Sequence, residues 1–182
     1  MKTVLGIAAR TCLAVGSILF TLQAMRGEAR AGGGEKLLEF KQLVGVSGVF
    51  LQPPSNQNPQ PLRSVLGGGV PWVIDKGEAR LKENGELKVE VEGLVLDPND
   101  PIVQRLGLGG INPVAQFFAT LSCLDTAGNV INIDTAPVAA SLEGDAKVKE
   151  VLDLPETCIA PIILVRGVSA PFQNPWFAAS GF

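Results

Sequence analysis

Three cysteines (Cys12, Cys123, Cys158) are the only thiols in this chain of 182 residues, and it contains no histidine and no tyrosine. That composition excludes a Ser-His-Asp triad, a Cys-His dyad, a histidine general base and every His-ligated zinc site. Carboxylates are the reactive groups that remain. Glu90 and Glu92 stand two residues apart, hence on one face of a strand, and paired carboxylates can cleave glycosidic bonds. The surrounding alternation of Glu and Lys is also that of a solvated strand face, and no pocket-forming aromatics flank the pair. Asp97, Asn99 and Asp100 share one loop, and Asp125, Asn129 and Asp134 surround a turn. Oxygen ligands so spaced can hold calcium, but the same residues build ordinary turns, and no full EF-hand pattern is present. Trp72 and Trp176, each beside a proline, either pack into the core or offer a binding surface.

Other motifs lack the context their chemistry needs. Gly67-Gly68-Gly69 and Gly107-Leu108-Gly109-Gly110 have neither the lysine nor the strand-to-helix setting of a phosphate loop, and no cofactor is expected. Leu154-Pro155-Glu156-Thr157 matches a sortase sorting signal. Cys158 and an apolar run follow it, so it reads as a proline-marked strand end. Phe182, an even number of residues after Trp176, has the parity of a closing outer-membrane strand. With 5% aromatic residues overall, it reads instead as the last strand of a sandwich.

The elements that must position these residues begin after an export signal. Lys2 and Arg10 precede an uncharged, largely apolar run from Thr11 to Ala24. Ala29-Arg30-Ala31 then supplies small residues at the −3 and −1 positions of a cleavage site. The expected division is a signal peptide over 1–31, Cys12 included, and one domain over 32–182. The formal charge of the whole chain is −3; the mature 151 residues would hold 11 cations and 17 anions, for a net charge of −6. Such a chain is expected to bind no nucleic acid and to have no attraction to anionic lipid. No later run reaches the roughly 20 apolar residues of a membrane span, so the mature chain is not expected to insert.

Glycine and proline make up 31 of those 151 residues, well above the roughly 12% usual for the pair. Many turns between short elements predict an all-β sandwich or barrel. Ala79 and Leu81 alternate with charges, as do Leu87, Val89 and Val91. Placing Leu81 and Leu87 on one face requires an odd loop, so Glu83-Asn84-Gly85 should form a three-residue turn with Gly85 left-handed. Lys82 then lies opposite Glu86. Further strands are expected at 46–51, 70–74, 116–125, 130–134, 146–154, 161–166 and 176–182, and a short helix at 35–43. The proline-rich stretch 51–62 and the stretch 97–114 read as long loops. Cys123 and Cys158, an even pair in an exported chain, should form one disulfide.

Several segments together are similar to a group of small exported bacterial proteins without an assigned function. They are Gly67 to Ile74, the Gly77–Leu96 hairpin, Gln116 to Cys123, Leu154 to Pro161 and Trp176-Phe177-Ala178. The resemblance spans roughly residues 45–182, implies a bacterial source and an exported β-rich fold, and carries over no site. The hairpin alone resembles part of the chordin-type CHRD β-sandwich domain, without that domain's histidine-containing motif.

The expected protein is an antiparallel β-sandwich of seven to nine strands, immunoglobulin-like or jelly-roll in style, pinned by Cys123–Cys158. Its expected role is that of a secreted or cell-envelope module, non-catalytic, binding a glycan or an envelope component through loops 51–62 and 97–114. The alternatives are a hydrolase using carboxylates or a bound metal, and a surface subunit that self-associates through an edge strand.

Overall fold

The computed structural model describes residues 34–169 and 173–180. The expected signal peptide, Cys12 and Phe182 lie outside the described residues. Within them the chain is almost wholly β, with antiparallel strand pairing throughout the ladders.

One sheet holds β1 (Lys36–Phe40), β4 (Lys76–Lys82), β5 (Glu86–Glu92) and β10 (Ala146–Val151), in the order β1-β4-β5-β10. The other runs β2 (Val44–Gly45), β12 (Trp176–Ala179), β11 (Ile159–Gly167), β7 (Gln116–Leu124) and β8 (Val130–Asp134), with β9 (Val138–Ala139) also on β7. A two-residue pair, β3 (Trp72–Val73) with β6 (Val95–Leu96), is separate from both. Eight of these strands have four residues or more, and the other four have only two.

Alternation decides which residues lie between the sheets. Ala79 and Leu81 of β4, and Leu87, Val89 and Val91 of β5, are buried together with Phe117, Ala119 and Leu121 of β7. Their neighbours on the first sheet form a lattice of ion pairs in water, including Lys82–Glu86 at 3.2 Å and Lys88–Glu90 at 3.1 Å. The hairpin takes the register that parity demands. Leu81 pairs with Leu87, the turn holds three residues, and Gly85 has φ +83. Both faces of β7 are buried: on its outer side the Arg166 guanidinium lies over Phe118, 4.9 Å from the ring centroid, and the segment through Arg63 is tied to the flanking strands. There Asn132 Nδ2 donates to the Arg63 carbonyl at 3.0 Å, and Arg63 Nη2 donates to the Ala160 carbonyl at 2.7 Å.

Two expected elements differ. Residues 36–40 form strand β1 rather than a helix, because an open edge of β4 offers a ladder that nine isolated residues cannot match with a marginal helix. The stretch 46–51 is a 3₁₀ turn, Gly48–Phe50, rather than a strand, with Gly48 at φ +60. The long loop 97–114 also contains a helix, α1 (Pro101–Leu106). The Cys123–Cys158 disulfide is formed, with its Cα atoms 4.8 Å apart. Cys123 lies on β7 and Cys158 directly precedes β11, so the bond ties neighbouring strands of one sheet rather than one sheet to the other. Among the described residues no helix is long and apolar enough to cross a membrane.

Candidate functional site

Residues of the loops at 51–54 and 97–114 line, together with Trp72 of β3 and Phe177 of β12, a half-open apolar cleft of about 430 Å³. Its inner wall is aromatic. Trp72 of β3 stacks on Phe177 of β12, with ring centroids 4.0 Å apart and planes 17° from parallel. Phe117 meets both rings edge-on, at 6.3 Å and 6.0 Å. Glycine permits this approach. A β-carbon on Gly68 would lie 3.1 Å from Trp72 Nε1 and 3.3 Å from Phe177, and one on Gly69 would lie 3.0 Å from the Pro53 carbonyl. The triple glycine is therefore a packing device that lets the backbone run against the aromatic wall.

Side-chain hydrogen bonds hold the outer walls. Gln52 pins the Pro53-Pro54 wall, its side-chain amide donating to the Gly67 carbonyl and its backbone N–H to the Gly68 carbonyl at 2.9 Å. Leu106 and Leu108 stand on either side of the end of α1. Asp100 caps that helix, its Oδ1 accepting from Ile102 N at 2.8 Å and Val103 N at 3.0 Å, and Gly107 closes it at φ +68. Pro113 and Val114 are set by Asn112, which is only 1% exposed. Asn112 Nδ2 donates to the carbonyls of Val114 (2.9 Å) and Ser141 (2.8 Å), and its Oδ1 accepts from Val114 N at 2.9 Å. No motif marks Gln52 or Asn112 in the sequence. The only signal was negative: polar residues inside loops whose prolines leave the backbone short of donors.

Among the described residues no titratable side chain lines this cleft, and Ser169 supplies the single hydroxyl. The contrast with the ion-paired face of the first sheet is sharp. There a recess of about 50 Å³ lies among Glu39, Arg80, Lys88 and Glu90, room for only a few water molecules.

The residues singled out in the sequence are placed as follows. Trp72 is 4% exposed and Trp176 is 1% exposed, so neither is an open binding surface, and the two do not share a site. Trp176 packs edge-on to Phe50 at 5.5 Å, inside the core, whereas Trp72 reaches the cleft from within. Burial of these large rings is worth more than their display: Trp176 belongs to the core, and Trp72 meets a surface only as part of the cleft wall. Asp97 Oδ1 accepts from Asn99 N at 2.8 Å and Asp100 caps α1, so both carboxylates shape the backbone of their own loop. Asp125 is likewise held by Asn129 and by the N–H of Ala127, and these bonds draw its carboxyl below the usual range. Asp134 accepts from Thr120 Oγ and pairs with Arg166 at 3.3 Å. Among the described residues no group of three or more His, Cys, Asp or Glu is gathered to hold a metal ion. Glu90 is drawn below the usual carboxylate range, chiefly by its hydrogen bond from Lys88 and then by Lys147. A general acid needs the opposite shift.

Compared with known proteins, the chain matches no family model, no curated sequence and no solved structure.

Proposed function

We propose that the protein is an exported, non-catalytic binding module of the cell envelope or exterior, and that the cleft between loops 51–54 and 97–114 is its binding site. The observation that carries this reading is the convergence of both long loops and the Trp72–Phe177 stack on one uncharged cleft of about 430 Å³. That volume falls in the range of small-molecule sites, roughly 300–1,000 Å³. A wall without acids or bases is suited to holding a ligand rather than to moving its protons. Export is supported by the N-terminal pattern of the sequence, and the cystine is of the kind kept in oxidising compartments.

Two measurements test the reading. Cell fractionation with intact-mass analysis should find an oxidised chain beginning near Gly32 outside the cytosol. A cytosolic, fully reduced full-length chain would overturn export. For binding, Trp72 and Trp176 give an emission free of tyrosine. Apolar probes should shift that emission, and Leu106→Glu should weaken them. Turnover of a glycan or ester that Glu90→Gln abolishes would replace the binding reading with the hydrolase alternative. Concentration-dependent oligomers on size exclusion, with no probe binding, would replace it with self-assembly.

A further inference from the structure

Resting on the reading of the cleft as a binding site, we infer that its ligand is the single aliphatic chain of an uncharged amphiphile. The aromatic faces in the wall are already turned toward one another: Trp72 lies flat on Phe177, and Phe117 meets both edge-on. A flat aromatic ligand would have to compete for those faces. An extended peptide or a sugar would bring polar groups at every unit, and most would be buried without a partner in a wall whose side-chain donors, among the described residues, are the Ser169 hydroxyl and the Trp72 indole alone. A hydrocarbon chain asks for nothing but apolar contact.

The surface around the mouth continues the same chemistry. Leu106 is 59% exposed at the rim. A second recess of about 230 Å³ shares Pro113 and Val114 with the cleft and is bordered by Leu142, 69% exposed. The two recesses thus adjoin at Pro113 and Val114, and a chain longer than the cleft has mostly apolar surface beside it. Charge selects the headgroup. Among the described residues the wall holds no cation to receive a carboxylate or phosphate, and those residues carry a clear excess of acids. An anionic headgroup would be repelled without compensation, and an uncharged one is not.

The test uses the oxidised mature protein and the 1-alkanols from hexanol to tetradecanol, read by tryptophan emission and calorimetry. Affinity should rise about fourfold with each added methylene inside the cleft, then more slowly along the adjoining recess, and level off once both are filled. Octanoate should bind no tighter than octanol. Leu106→Glu at the rim and Val114→Trp in the wall should each weaken decanol at least tenfold, with near-ultraviolet circular dichroism checking that both variants keep the native fold. Affinity independent of chain length, or tighter binding of the carboxylate, would overturn the inference. So would sedimentation with phosphatidylcholine vesicles in the absence of alkanol binding, which would assign that apolar surface to a bilayer. If alkanols fail while N-phenyl-1-naphthylamine or a proline-rich peptide binds and both substitutions weaken it, the chain assignment falls and the binding module stands. If no probe senses either substitution, both fall.

Discussion

Glu39 shows how much a single side chain on an open strand can be committed to the fold. Lys36 and Arg80 both donate to its carboxylate from the same sheet face, with Lys36 Nζ at 2.7 Å. These bonds pull its pKa from the ordinary 4.5 to about 2, the bond from Lys36 contributing most and that from Arg80 next. A folded-state value below the unfolded one means that the contribution is complete above the ordinary carboxylate range and is lost as pH falls from about 4.5 toward 2. We therefore expect amides of β1 to lose protection from hydrogen exchange across that interval, and Glu39→Gln to make their protection independent of pH there. A Glu39 titration midpoint near its ordinary value, measured by nuclear magnetic resonance, would refute the assignment. Arg166 shows the converse constraint. Burial pushes its guanidinium below its usual value while Asp134 opposes the shift. The group is kept in place over the Phe118 ring, 4.9 Å from the centroid, by the Asn174 carbonyl at 2.9 Å.

Elements here obey two kinds of instruction. The β4–β5 hairpin is set by parity: apolar residues on one face admit only an odd loop, and Gly85 supplies the left-handed position that loop needs. The same glycine also faces the end of β10, where a β-carbon would stand 2.1 Å from the Leu152 carbonyl that follows the strand. Gly85→Ala combines an unfavourable φ with displacement of β10, and should cost about 3 kcal/mol in a urea titration, more than the backbone effect of a simple turn glycine. A loss under about 1 kcal/mol would show that β10 yields freely. Helix α1 follows local rules too. Asp100, Pro101 and Gly107 stand at the cap, first-turn and closing positions, and those signals are present in the sequence stretch expected to be only a loop. Strand β1 obeys the second kind of instruction. Its residues suit a short helix as well as a strand, and the free edge of β4 decides between them.

At the scale of the molecule, the cystine and the cleft occupy opposite ends of β7. Phe117, against the cleft wall, and Cys123 are six residues apart on one strand, a span of about 20 Å. The bond closes a loop with a sequence separation of 35, for which chain entropy predicts about 4 kcal/mol of stabilisation. Cys123→Ala with Cys158→Ala should lower the unfolding free energy by an amount of that order, while decanol affinity measured below the lowered Tm stays within about twofold, as distant independent sites require. A collapse of binding in a still-folded variant would show that the two ends are coupled. The amino-acid sequence by itself determined the all-β class, the register of the central hairpin, the solvated charged face and the pairing of the two cysteines. Each of these rests on alternation, on a turn's φ requirement or on the parity of a residue count, and neighbours a few positions apart settle them. The tertiary structure alone decided that Trp176 enters the core while Trp72 backs a cleft, that residues 36–40 become an edge strand, and that the prolines of one loop and the leucines of another face each other across an uncharged space. Those outcomes depend on the strand order β2-β12-β11-β7-β8 bringing together segments more than a hundred residues apart, and no local pattern encodes such a meeting.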